Sequence, residues 1–173
     1  MGRSVGWIAL HSGMAAGAHV ICIPEFPLTI DEICDYVRMT WDRRRAPLVV
    51  VAKGFVPKDA PEGFMNYDLD EFGRPRFGGI AQALAPVIEK RLGIETRATV
   101  LGHIQRGGSP SAFDRVLATR LGLHAADVVA EEAWGQMVSL KGTDIVRVPF
   151  ADALGELNTV PIYRYEEAAA LFG

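Results

Sequence analysis

The chain has 173 residues, 18 basic against 21 acidic, and a formal charge of −3, a balance that excludes a strongly basic nucleic-acid footprint. Apolar residues make up 49% and charged residues 23%, which excludes disorder as the main state and suits one domain of ordinary size, or one and a fraction. The two cysteines, Cys22 and Cys34, form no CxxC pair and stand in no Cys/His cluster, so no disulfide framework and no metal site are expected, and the setting is read as cytoplasmic.

From Val5 to Pro24 there is no Asp, Glu, Lys or Arg, Arg3 precedes the run, and Ala16-Gly17-Ala18 has the form of a signal-peptidase site. His11, Ser12, Gly13 and His19 interrupt the apolar character, so a buried helix over residues 3–16 followed by a buried strand is preferred to an export signal or a membrane span. That helix is apolar nearly all round and is expected to be enclosed. His19 to Ile23 is a short β-rich run closed by Pro24. Thr29 stands three residues before Glu32, a capping box, and Ile30, Ile33, Cys34, Val37 and Trp41 follow at helical spacing to about Arg45. The run Arg43-Arg44-Arg45 reads as a solvated helix end, with an anion or effector contact as the alternative. Leu48 to Ala52 is a continuous apolar strand of the buried kind.

Residues 54–78 hold several Gly and Pro with little periodicity, predicting a long surface loop. Asp68, Asp70 and Glu71 form an acidic cluster there, read as solvated. A helix follows from Ile80, with Pro86 inside it and Gly93 ending it. Thr96 to Leu101 predicts another strand. Ser109-Pro110 reads as an N-cap followed by Pro at the first position of a helix running to about Glu132. Strands near 136–140 and 144–148 and short helices near 150–157 and 164–171 close the chain. The alternation predicts a layered α/β fold with a largely parallel sheet, and no internal repeat or inter-domain linker stands out.

The segment Arg97 to Pro110 carries the most chemistry. A predicted strand delivers His103 and Arg106 to the Gly107-Gly108 turn, which feeds a helix start. Two side-chain donors, free backbone amides and a positive dipole end suit an anion, best a phosphate. In open α/β sheets ligands bind beyond the carboxyl ends of strands, where this segment would lie. There is no GxxxxGK[ST] and no GxGxxG, and Gly78-Gly79 before a helix is a weak phosphate-loop candidate.

His103-Ile104-Gln105-Arg106-Gly107-Gly108-Ser109-Pro110, with Phe113-Asp114-Arg115 behind it, closely resembles the signature of the 6-phosphofructokinases. Met1-Gly2-Arg3, Gly6 to Leu10, Ile23-Pro24-Glu25, Gly73-Arg74, Gly78-Gly79, Val160-Pro161 and Arg164 to Glu167 also fit that family. The resemblance is to the actinobacterial branch, which holds both ATP- and pyrophosphate-dependent enzymes. It covers all of this chain and about the C-terminal half of the family's. It implies a phosphofructokinase-like, Rossmann-like fold, incomplete without an N-terminal half, toward which residues from about 133 onward would pack. It also implies a phosphotransferase of glycolysis that converts fructose 6-phosphate to fructose 1,6-bisphosphate with Mg²⁺ and ATP or pyrophosphate. Met1, Gly2 and Arg3 would line the sugar phosphate, and His103 and Arg106, with Ile104 and Gln105 between them, would hold the 6-phosphate. Arg97 would reach the sugar phosphate of a neighbouring subunit in a homo-oligomer. A membrane or nucleic-acid partner is not implied.

Two departures from the family pattern qualify this. Where the family has Glu-Gly after the second buried strand, this chain has Lys53-Gly54, and a Lys ammonium donates but cannot accept from a sugar hydroxyl. The family's donor-phosphate loop and its catalytic Asp motif lie upstream of Met-Gly-Arg, so no catalytic residue is assigned in this chain, and alone it is expected to bind neither donor nor metal and to be inactive. Exposed apolar surface and self-association are expected of such a chain. The rival readings are a non-catalytic sugar-phosphate module or inert remnant, and, more distantly, another kind of nucleotide-binding α/β domain.

Overall fold

The structure is a computed structural model that describes residues 4–64 and 79–173, and at His103 and Arg106 it describes the backbone. The chain divides into two compact units, one of residues 1–102 with 158–173 and one of residues 103–157.

The first unit is built on a parallel pair of short strands. Val20 to Ile23 are at most 1% exposed. β1 (Val20–Cys22) runs beside β2 (Val49–Val51) with Val20 opposite Val49 and Cys22 opposite Val51. Continuous β-branched runs suit strands covered on both faces, and β1 is enclosed as expected. β2 is only half-buried, because among the described residues β1 is its one strand neighbour. Helix α1 (Trp7–Ala16) lies across this pair. Its close approach depends on Gly13, where a Cβ would stand 2.6 Å from Ile21 Cδ1. The all-round burial expected of α1 is not found: Ala9, Leu10 and Gly13 are buried, while Ile8 and Met14 are 52% and 40% exposed. Only one face meets the sheet, and no second layer covers the other among the described residues. α1 ends where Gly17 turns left-handed at φ 65°.

Helix α2 (Ile30–Asp42) starts on the predicted capping box, with Thr29 Oγ1 accepting from Glu32 N–H at 3.1 Å and Glu32 returning a carboxylate to Thr29 N–H at 2.7 Å. Its buried stripe is Ile30, Ile33, Cys34, Val37 and Thr40, so the fifth position belongs to Thr40 and Trp41 is 51% exposed. Thr40 is accommodated because its hydroxyl donates to Tyr36 O at 3.0 Å. The helix stops short of Arg45, since Arg44 takes a left-handed φ of 56°. The three arginines are exposed, and Arg43 donates to the Gly173 carbonyl. Helix α3 (Ile80–Leu92) runs through Pro86 without a break, and both Pro86 and Gln82, whose carbonyl loses its partner, lie toward the outer side of the helix.

Thr96 to Leu101 form no strand. Val100 and Leu101 are each 57% exposed, and a strand needs a neighbour that these residues lack among those described.

The second unit opens with a 3-10 turn, His103–Arg106, followed by α4 (Ala112–Ala130). The N-cap is Ser111, not Ser109. Asp114 lies three residues after Ser111 and completes a reciprocal box, accepting from Ser111 N–H at 2.8 Å, while the residue three after Ser109 is Ala112, which returns nothing. The Ser111 bonds hold the Asp114 carboxyl below its ordinary value. A carboxylate of lowered pKa contributes above its unfolded value and loses that contribution as pH falls. Ser111→Ala is therefore expected to cost about 1 kcal/mol at neutral pH and less in acid, a difference read by urea unfolding at both pH values. β3 (Gln136–Lys141) and β4 (Asp144–Pro149) then form an antiparallel hairpin around Gly142-Thr143, with Lys141 opposite Asp144. α5 (Phe150–Leu154) follows.

The chain returns to the first unit with α6 (Ile162–Ala169), whose Tyr165 hydroxyl donates to Ile21 O at 3.0 Å and whose ring stacks on Phe26 at 5.2 Å. Burial pushes the Tyr165 phenol and the Cys22 thiol well above their ordinary values, so both stay neutral. Both cysteines are free and buried. Among the described residues no helix is long and apolar enough to cross a membrane.

Candidate functional site

Because β1 and β2 are parallel and in register, their carboxyl ends open on the same edge of the sheet. Ile23 to Glu25 leave β1 there and Ala52-Lys53-Gly54 leave β2 there. The start of α1 reaches the same edge: a Cβ on Gly6 would stand 2.4 Å from Ile23 Cβ. This is the edge at which open α/β sheets receive ligands. Lys53 is half-buried in a turn held by Phe55 N–H donating to Ala52 O at 3.0 Å, with the Phe55 ring fully buried behind it. Met1, Gly2 and Arg3 lie outside the described residues, as do Asp68, Asp70, Glu71, Gly73, Arg74 and Gly78.

Arg97 is 85% exposed on the irregular stretch after α3 and pairs with Glu95 at 2.7 Å. Such a surface pair is weak and screened by salt, so it leaves the guanidinium exchangeable.

In the second unit the backbone of His103–Arg106 forms one 3-10 turn. Residues three apart in such a turn stand one above the other, which puts positions 103 and 106 on one face. Ile104 is 77% exposed and Gln105 is also exposed. Gly107 N–H closes the turn on Ile104 O at 3.2 Å, and Gly108 follows at φ 94°, a conformation that favours Gly. The turn thus brings positions 103 and 106 and a compact glycine pair within six residues. The first turn of α4 already holds its own carboxylate, Asp114, which offsets part of the positive end of the helix dipole.

Sequence reasoning gives no role to Glu25, whose carboxylate accepts from two main-chain N–H groups, those of Gly6 and Val160. The bonds cross 19 and 135 residues, so no local spacing announces them.

Residues 1–129 match the family model described as Phosphofructokinase. The chain is 52% identical over its whole length to the pyrophosphate--fructose 6-phosphate 1-phosphotransferase of Amycolatopsis methanolica, covering 51% of that protein. It is 51% identical to the ATP-dependent 6-phosphofructokinase of Mycobacterium bovis, again covering 51% of it. Among solved structures, Pichia pastoris phosphofructokinase in the T-state superposes over 99% of this chain and 17% of its own, with a TM-score of 0.66 and 32% identity. A pyrophosphate-dependent phosphofructokinase from Marinobacter aquaeolei shares the fold with a TM-score of 0.70 at 22% identity, covering 94% of this chain and 41% of its own. The chain spans about half the length of the curated relatives it matches. These agreements, in sequence over the whole chain and in fold, establish that the chain belongs to the phosphofructokinase family.

Proposed function

We propose that this chain supplies the fructose 6-phosphate site of a 6-phosphofructokinase, the enzyme that moves a phosphoryl group to the sugar O1 and yields fructose 1,6-bisphosphate. The observation that carries the reading is the 3-10 turn of His103–Arg106 with Gly107-Gly108, in a chain of this family. His103 and Arg106 hold the 6-phosphate, with Ile104 and Gln105 forming the turn between them. Met1, Gly2 and Arg3 line the sugar phosphate. Arg97 reaches the sugar phosphate of a neighbouring subunit in a homo-oligomer, exchanging its pair with Glu95 for the phosphate.

Catalysis then consists of orienting the acceptor hydroxyl and neutralising charge, while the donor and the base that takes the hydroxyl proton stand outside this chain. The relatives are named for ATP or for pyrophosphate at nearly equal identity, so either serves as donor in this reading. Mg²⁺ enters with the donor. Among the described residues no three of His, Cys, Asp or Glu converge on a metal position. Trp134, Leu154 and Leu157, 68%, 81% and 68% exposed, support the view that residues from about 133 onward pack against further protein of the complete enzyme.

The test is a calorimetric titration of the chain with fructose 6-phosphate, paired with a turnover assay using Mg²⁺ and either donor. Binding without turnover is expected. Turnover by the chain alone would overturn the division of labour, and absence of binding would favour an inert remnant.

Lys53 bears on the sugar contact. It stands at the carboxyl edge where the family's Glu accepts from a sugar hydroxyl, and its ammonium has nothing to accept with. Lys53→Glu is expected to tighten fructose 6-phosphate binding by about tenfold, and an unchanged or weaker affinity in the same titration would remove Lys53 from the site.

A further inference from the structure

Lys53 leaves β2 beside a carboxylate that is already spent. β1 and β2 are parallel with Cys22 opposite Val51, and Ala52 N–H donates to Cys22 O at 2.9 Å, so the pairing runs on past both strands. Lys53 is the second residue beyond Val51 and Pro24 the second beyond Cys22, with Glu25 next. An ammonium and a carboxylate that leave neighbouring strands at one edge would ordinarily pair. Here they do not: the ion pairs among the described residues belong to Arg91, Arg97, Arg147 and Arg164. Glu25 Oε1 accepts instead from Gly6 N–H at 2.9 Å and from Val160 N–H at 3.1 Å. Asp59, the next carboxylate along the chain after Lys53, accepts from Ile30 N–H at 2.7 Å. Both acids serve main-chain donors, and neither matches the positive charge at the carboxyl edge.

The backbone that carries this charge is held. Ala52 and Phe55, on either side of Lys53-Gly54, are 3% and 0% exposed, and the Phe55 N–H bond to Ala52 O closes the turn between them. Lys53 itself is half-buried. A partly dehydrated ammonium is screened less than one in open water, so a charged acceptor gains more from it. A hydroxyl oxygen can also accept from Lys53, but a bond between two ions is roughly twice as strong as a neutral one. A carboxylate or phosphate oxygen is therefore the better partner at this edge.

We propose that Lys53 is a specificity-determining residue: its charge makes the chain favour sugar phosphates that carry a second anionic group, a carboxylate or a further phosphate, over those that offer only hydroxyls at the carboxyl edge of β1 and β2. The proposal deepens the sugar-phosphate reading given above and rests on it.

The test compares three ligands by calorimetric titration at fixed ionic strength. Fructose 6-phosphate carries one anionic group, 6-phosphogluconate adds a carboxylate to its phosphate, and fructose 1,6-bisphosphate has a second phosphate. The unsubstituted chain is expected to bind one or both of the last two at least about tenfold more tightly than the first. Which of them is favoured tells a carboxylate from a phosphate as the preferred group. Lys53→Met keeps the length of the side chain and removes its charge. It should reduce the preference by at least about tenfold while the affinity for fructose 6-phosphate stays within about threefold. Lys53→Gln, which also removes the charge, repeats the measurement if the Met variant does not melt cooperatively. A merely structural role for Lys53 would change the three affinities by one common factor. Equal affinities in the unsubstituted chain, or a preference that survives removal of the charge, would overturn the proposal. If the unsubstituted chain binds none of the three ligands, the functional reading fails and takes the proposal with it. If that chain binds fructose 6-phosphate without the preference, the specificity role fails alone.

Discussion

Phe55→Ala is expected to lower the unfolding free energy by about 3–5 kcal/mol, measured by urea unfolding followed by circular dichroism. Phe55 is 0% exposed and is the largest of the fully buried side chains among the described residues. It belongs to the same apolar cluster as Leu10, Ile23, Ile33 and Leu84, so removing the ring opens a cavity in the core that α1, β1, α2 and α3 share. A well-packed interior collapses only partly around such a loss, which is why the cost exceeds the transfer energy of the ring. Phe55 also follows Lys53-Gly54 directly, and its N–H closes that turn on Ala52 O. The variant should therefore loosen the carboxyl edge as well as destabilise the unit. A loss below about 1 kcal/mol would mean that the ring does not occupy the core position described.

Arg106→Ala is expected to weaken fructose 6-phosphate binding by about 10- to 100-fold, since a charge-assisted contact to phosphate contributes about 1.5–3 kcal/mol. Stability should change little, because the residues around it, Ile104, Gln105 and Gly107 to Ser111, are exposed. Arg106→Lys should recover only part of the affinity, as an ammonium cannot reproduce the planar fork that fits two phosphate oxygens. The measurement is a titration at fixed ionic strength, with thermal unfolding as the control. Equal affinity in the Ala variant would take the 3-10 turn out of the site and leave the carboxyl edge of β1 and β2 as the remaining candidate.

Much of the candidate site is legible in the amino-acid sequence. The motif from His103 to Pro110 points to a phosphate on chemical grounds, and the same residues carry the family resemblance. What the folded chain alters is the helix start behind it: Ser111 and Asp114 make the capping box, so the N-terminal end of α4 is partly neutralised by its own carboxylate. Ser109 and Ser111 are equally acceptable N-caps by residue type. The choice between them turns on which has an acceptor three residues later, the same spacing that marks Thr29 and Glu32.

Features whose partners are near in the chain can be read from the order of residues alone. The Thr29–Glu32 box, the enclosed run from Val20 to Ile23, the two strands near 136–140 and 144–148 and the end of α3 at Gly93 are of this kind. Each is decided by neighbours within about four residues or by an apolar run, which spacing and composition express directly. Tertiary structure alone decided the rest. It left Val100 and Leu101 exposed where β-propensity predicts a strand, because pairing depends on a neighbour. It exposed one face of α1, because burial depends on what packs beside a helix. It also brought Gly6 and Val160 onto a single carboxylate oxygen of Glu25, from 19 and 135 positions away, a meeting that no periodicity encodes.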